Sequence, residues 1–125
     1  MSVQIKRVYD EPSQTDGYRV LVDRLWPRGL TKDRAALDRW DKDVAPSDAL
    51  RRHFKSLGMS EPEFRKLYRQ ELRSDPQAID SLLEAHRKSR KKRLTLLYAS
   101  RDPIHNHAVT LRREIERRIE RRQTG

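Results

Sequence analysis

Two apolar runs constrain the fold of this chain most: Val20-Leu21-Val22, and Leu94 to Tyr98 broken only by Thr95. A strand with one wet face alternates apolar and polar residues, whereas a near-continuous run needs cover on both faces, as in a parallel sheet. The sequence therefore predicts central strands at Tyr18 to Leu25 and Arg93 to Ala99, with a shorter, partly alternating strand at Val3 to Tyr9. Asp16-Gly17 marks the turn into the second strand. Helical spacing fills the interval between the second and third. Thr31 to Asp43 places Ala36, Leu37, Trp40 and Val44 on one face. Ser47 is positioned as the N-cap of a helix carrying Leu50, Phe54 and Leu57 and ended by Gly58. Ser60 and Glu63 have capping-box spacing ahead of Phe64, Leu67, Tyr68 and Leu72. Asp75-Pro76 opens a further helix with Ile79, Leu82 and Leu83 inward, and a last helix from about His105 to Arg122 turns Ala108, Leu111, Ile115 and Ile119 inward.

Strand, strand, several helices, strand, helix is an α/β order. The expected fold is a small, mostly parallel sheet of about three to four strands flanked by helices, Rossmann-like, as a single domain over residues 1–125. The stretch from Asp10 to Gly17 is too short for a helical crossover. The first strand must therefore pair antiparallel or reach its place by an unusual short crossing. A chain of 125 residues can bury one core without staples. With no cysteine, disulfides, thiolate metal sites and a cysteine nucleophile are excluded. The absence of a membrane-length apolar run and of a signal-peptide core leads to the expectation of a cytoplasmic protein with no membrane partner.

Ligands of open α/β sheets bind beyond the carboxyl ends of the strands. There the second strand runs into Asp23-Arg24-Leu25-Trp26-Pro27-Arg28-Gly29, and the third into Ser100-Arg101-Asp102-Pro103 and His105-Asn106-His107. A type I turn beginning at Trp26 would present Arg28 at a defined angle. Asp102-Pro103 has the pattern of a cap and first turn, and helix N-termini attract anions. Arg24, Arg28 and Arg101 beside such a terminus predict a pocket for a small phosphate- or carboxylate-bearing ligand. Asp23, Trp26, Asp102, His105, Asn106 and His107 would surround it.

The segment Asp16 to Gly29 resembles the signature of the YeaO-like branch of the family called domain of unknown function 488. Ala45-Pro46-Ser47-Asp48 is similar to a second mark of that family, and Leu97 to Asp102 followed by His105-Asn106-His107-Ala108 to a third. The blocks fall in the family's order and span nearly the whole chain. The resemblance implies a compact α/β domain of bacterial type and assigns no activity. It also exposes a departure. In the wider family the last strand is followed by a Cys near its end and a Cys-His-Arg at the next helix. Here Tyr98 stands near the first, and Asn106-His107-Ala108 resembles the second. That substitution argues against catalysis of a cysteine-dependent kind.

Other readings of the same residues stay open. His105 and His107 with Asp102, Asp23 or Asp10 are a sparse metal set, because residues two apart on a helix diverge. No cofactor is called for. Either histidine, oriented by Asp23, has the chemistry of a general acid or base; His53 and His86 sit beside apolar rows and read as structural. The formal charge is +10, from 29 Lys and Arg against 19 Asp and Glu. Such a balance suits polyanionic partners. Arg87 to Arg93 and the outer face of the last helix supply an alternative function, non-specific nucleic-acid binding. That run also complements a helix dipole, and Arg112-Glu116 and Glu114-Arg118 have self-compensating spacing. Tyr9, Tyr18, Trp26 and Trp40 have the rings to stack bases and fit core or pocket-wall roles equally.

Overall fold

A computed structural model describes residues 2–102 and 106–124 of the chain. Among them, strands β1 (Ser2–Arg7), β2 (Tyr18–Leu21), β3 (Arg39–Trp40) and β4 (Arg93–Tyr98) form one sheet in the order β1-β4-β2-β3. Every neighbouring pair is parallel. The last strand thus lies between the first two, with Leu94, Leu96 and Leu97 fully buried.

The two faces are built differently. Val3, Tyr18, Val20, Leu94, Leu96 and Tyr98 belong to the larger core, which α2 (Asp48–Ser56), α3 (Glu61–Ser74), α4 (Pro76–Ser89) and α5 (His107–Thr124) cover. Leu21 and Leu97 point the other way, into a smaller cluster with Val8, Leu30 and Ala35. The short helix α1 (Lys32–Ala35) and the segment after β1 lie on that side. Burial on both faces is the physical reason β2 and β4 read as continuous apolar runs.

β1 resolves the choice left by its short connection: it pairs parallel with β4, and the chain crosses without an α-helix between β1 and β2. The crossing ends in a 3-10 turn, Gln14–Asp16, closed by a reciprocal capping box between Ser13 and Asp16. Where a helix would normally supply apolar cover, Asp16 supplies polar anchorage. Its carboxylate pairs with Arg19 at 2.6 Å and Lys6 at 3.1 Å, and its carbonyl accepts from Thr95 Oγ1 at 2.6 Å.

The helix expected over Thr31 to Asp43 is corrected. Thr31 does cap a helix, but it lasts only from Lys32 to Ala35, and Ala36 turns left-handed at φ 48°. The chain then becomes the edge strand β3. Asp38 N donates to Arg19 O and Asp41 N to Leu21 O, while the Asp38 carboxylate accepts from Arg19 N. An open sheet edge offering unpaired backbone groups outweighs the local helical spacing.

The later helices follow their signals. Ser60 Oγ accepts from Glu63 N at 3.3 Å, and Pro76 occupies the first turn of α4. Ser47 caps α2 by accepting from Leu50 N at 3.1 Å, and its hydroxyl donates to Glu71 on α3 at 2.5 Å. Ser47→Ala removes the cap and this tie between α2 and α3 together. A loss of about 1–2 kcal/mol is expected in urea unfolding; an unchanged midpoint would show that neither bond stabilises the native state.

Candidate functional site

The C-terminal ends of β2 and β4 open into a cleft of about 450 Å³, closed on its far side by α2 and α3. Its floor is set by Asp23 and His107. Asp23 Oδ2 accepts from Ala99 N at 3.0 Å, and the Asp23 carbonyl accepts from the Trp40 indole at 2.7 Å. These bonds fix the end of β2 against the end of β4 and the edge strand. His107 Nε2 lies 2.9 Å from Val22 O and 3.0 Å from Asp23 Oδ1. When Nε2 carries a hydrogen donated to Val22 O, the ring edge also lies beside the Asp23 carboxylate. Oδ1 itself is buried and has no hydrogen bond of good angle among the described residues. Tyr68 stands edge-on to His107 at 6.1 Å and donates its hydroxyl to Val44 O. Burial pushes the Tyr68 phenol well above its ordinary value, with the carboxylates of Glu71, Asp23 and Asp41 adding to the effect. It is neutral at neutral pH and lies buried behind the cleft lining.

The loop after β2 forms one side. Trp26 is pinned by its indole N–H on Leu30 O at 2.6 Å and meets Trp40 edge-on at 5.4 Å. The turn falls one residue later than expected. Leu30 N donates to Pro27 O, so the turn begins at Pro27, and Gly29 takes φ 75°, as the second central position of a type II turn requires. Tyr9 donates its hydroxyl to Arg28 O at 2.7 Å, tethering this loop to the segment after β1. The Arg28 side chain is exposed and has no acid within ion-pair distance among the described residues. Arg24 is more committed, to Pro46 O at 3.1 Å and Asp48 at 3.8 Å.

Of the residues expected from the strand ends, Asp23, Arg24, Trp26, Arg28, Asn106 and His107 line this cleft. Arg101 and Asp102 are exposed and do not. His105 lies outside the described residues, as does Pro103. Asn106 Oδ1 accepts from Ala108 N at 3.0 Å, capping the start of α5.

The far wall was not anticipated. Arg51, Phe54 and Lys55 from α2, with Glu61, Phe64 and Arg65 from α3, complete the lining. Phe54 and Phe64 pack at 4.8 Å, and Arg65 pairs with Glu61 at 3.1 Å. The row Leu50, Phe54 and Leu57 is split: Leu50 is buried, while Phe54 and Leu57 are exposed. The placement of Arg51 and Lys55 beside Phe54 was the available signal. Among the described residues, no group of three or more His, Asp and Glu converges in a metal-binding arrangement, and no helix is long and apolar enough to cross a membrane.

Three of the six basic residues in Arg87 to Arg93 are tied to the molecule itself. Arg87 pairs with Glu84, Lys91 with Asp38, and Arg93 bonds Ser2, Gln4 and Thr15 O. On α5, Arg112 meets Glu116 as the spacing predicted, but Glu114 pairs with Arg73 and Arg117 while Arg118 reaches Asp80 on α4. Of the two other histidines, His53 is exposed and His86 is buried beside Tyr18 at 5.8 Å.

A family model described as the inactive DUF488-N3 subclade matches residues 2–125. The chain belongs to that family. YeaO of Escherichia coli (strain K12), which bears the name "Uncharacterized protein YeaO", is 45% identical over 111 residues, covering 89% of this chain and 94% of that protein. Rv3073c of Mycobacterium tuberculosis (strain ATCC 25618 / H37Rv), likewise named an uncharacterized protein, is 36% identical over 109 residues, covering 87% and 89%. No solved structure matches the chain. Membership in the YeaO-like branch of the domain of unknown function 488 family was legible from the blocks at Asp16 to Gly29, Ala45 to Asp48 and Leu97 to Ala108; the subclade comes from the family model.

Proposed function

We propose that this DUF488-family protein binds a small anionic ligand, phosphate- or carboxylate-bearing, in the cleft beyond β2 and β4, and that it acts as a binding protein rather than as a catalyst. The observation that carries this reading is the charge of the cleft. Arg24, Arg28, Arg51, Lys55 and Arg65 line it against the carboxylates of Asp23 and Glu61. Arg65 is matched by Glu61, while Arg28 has no acid partner among the described residues, so the cleft keeps a surplus of positive charge. Arginine presents a planar donor fork suited to phosphate and carboxylate. A volume of about 450 Å³ is of the size that takes a small metabolite.

The description of the matching family as inactive supports binding over turnover. So does the absence of cysteine where the wider family carries it. Asp23 ties the end of β2 to Ala99 after β4, and His107 ties the start of α5 to Val22, which are scaffolding roles. The reading takes residues 1–125 as one cytoplasmic domain, with Asp23, Arg24, Trp26, Arg28, Asn106 and His107 at the site and Arg101 and Asp102 at its margin.

The test is a thermal-shift and calorimetric panel of phosphorylated and carboxylated metabolites at two salt concentrations. Arg28→Ala is expected to weaken a phosphate-bearing ligand by about ten- to a hundredfold, the loss of one or two charge-assisted bonds, without lowering the unfolding temperature of the free protein. A ligand whose affinity is unchanged in Arg28→Ala would remove Arg28 from the site. A panel in which no anion binds would end the reading.

A further inference from the structure

The cleft is apolar as well as cationic, in a way a phosphate site alone does not need. Among the described residues, the exposed large hydrophobic side chains are Tyr9, Leu25, Phe54 and Leu57, at 37%, 56%, 37% and 73%. Three of these four, Tyr9, Leu25 and Phe54, line this one cleft, although it is a small part of the surface. Exposed apolar surface concentrated in one concavity marks a place where an apolar body is taken up. Aromatic rings stand in both walls: Trp26 on the loop after β2, and Phe54 packed on Phe64 from α2 and α3. From Phe64 the ring series continues inward through Tyr68 at 6.2 Å to His107 at 6.1 Å. Rings lining a slot offer flat faces, which a planar ligand ring matches better than a flexible chain does. The cations are interleaved with these rings: Arg28 follows Trp26 in the loop, and Arg51 and Lys55 flank Phe54 on α2.

Resting on the anion-binding reading above, we infer that the ligand is a nucleotide unit: a heterocyclic ring held between Trp26 and Phe54–Phe64, with its phosphate on Arg28 and Lys55. The two parts of the site correspond to the two parts of such a molecule. A sugar phosphate has no planar aromatic face to stack on Phe54, and a fatty acid has no use for flat walls on both sides. The cleft volume of about 450 Å³ accommodates one such unit and not a run of them. The same chemistry is offered by a free mononucleotide and by the terminal nucleotide of an oligonucleotide.

The experiment compares AMP, CMP, ribose 5-phosphate, decanoate and a short single-stranded RNA at matched phosphate or carboxylate concentration, read by tryptophan fluorescence and calorimetry. Wild-type protein, Phe54→Ala and Lys55→Ala are used, each first shown to unfold cooperatively. A mononucleotide, or the RNA end, is expected to bind at least tenfold more tightly than ribose 5-phosphate. Phe54→Ala is expected to erase that advantage while leaving ribose 5-phosphate unchanged, and Lys55→Ala to weaken both phosphates. Mononucleotide binding identifies a free nucleotide as the source. RNA binding lost in Phe54→Ala, without mononucleotide binding, identifies a strand end. Ribose 5-phosphate binding as tightly as AMP would overturn the nucleotide inference and leave the anion site standing. Decanoate exceeding both, or RNA binding indifferent to Phe54→Ala, would also overturn it. If nothing on the panel binds, the inference falls together with the anion-binding reading.

Discussion

Gly17→Ala is expected to destabilise the fold by about 3–5 kcal/mol, or to prevent soluble folding altogether. Gly17 sits at φ 68° and ψ −125°, a region that residues with a Cβ rarely enter. A Cβ there would stand 2.3 Å from Arg93 O and 3.0 Å from Arg93 Cβ. That carbonyl belongs to β4, the strand on which both β1 and β2 are paired, so the obstacle is backbone held in the middle of the sheet. Urea unfolding of Gly17→Ala beside wild type measures the cost. A loss below about 1 kcal/mol would mean that the 3-10 turn can move off β4, and the account of the short crossing given above would be wrong.

Asp16→Ala is expected to cost about 3 kcal/mol or more, because it strands charges instead of only deleting contacts. Arg19 is 5% exposed and Asp16 2%. Removing the carboxylate leaves the Arg19 guanidinium buried with the carbonyls of Ala35 and Ala36 but no countercharge from Asp16. Lys6 loses its ion pair as well, and Ser13 N its acceptor. Two residues this close share partners, so the costs of Gly17→Ala and Asp16→Ala are not expected to add. The acid limb gives an independent check. Burial opposes the charge on Asp16, but the bonds from Ser13, Lys6 and Arg19 outweigh it and hold the carboxyl below its ordinary value of 3.8. A carboxylate depressed on folding stabilises the native state above its unfolded pKa and loses that contribution as pH falls through the folded value. The stability gap between wild type and Asp16→Ala is therefore full at neutral pH and narrows as pH drops below 3.8. A gap that stays constant through acid would show that the loss is one of packing and not of charge.

Both predictions concern a feature that a conventional α/β crossover lacks. With no helix over this end of the β1–β4–β2 surface, Gln4, Lys6, Thr95, Arg19 and Arg93 form a bonded polar layer around Asp16 and Thr15. The opposite face follows the usual pattern, with Val20, Leu94 and Leu96 under α3 to α5. One sheet thus carries an apolar core on one side and a partly ionic one on the other. The sequence shows the difference as the odd polar residue, Arg19 and Thr95, inside runs that are otherwise apolar.

The lining of the candidate cleft was legible in part, for a definable reason. Strand ends are fixed by the runs that precede them, so Asp23, Arg24, Trp26 and Arg28 after β2, and Asn106 and His107 at the start of α5, could be assigned to one edge of the sheet. Arg101 was assigned to the same edge, but the direction of an exposed loop side chain is not set by its distance from a strand. The contribution of α2 and α3 was invisible for a related reason. Local spacing says that Leu50, Phe54 and Leu57 lie near one face of a helix, but not where along that helix the sheet stops covering it. The cover ends after Leu50, and Phe54 passes to the cleft with Arg51 and Lys55 beside it.

What the sequence determined by itself was local and repetitive: the buried character of β2 and β4, the caps at Ser47 and Ser60, the proline start of α4, and the family blocks around Asp16 to Gly29. These depend on neighbours a few residues apart, which a linear chain displays directly. Tertiary structure alone decided that β1 runs parallel beside β4, that residues 39–40 pair as a strand after helical spacing, and that α2 and α3 wall the cleft. Each of those outcomes turns on backbone groups or side chains brought together from distant parts of the chain. The free energy of such contacts exists only once the sheet has formed, so no local pattern can encode it.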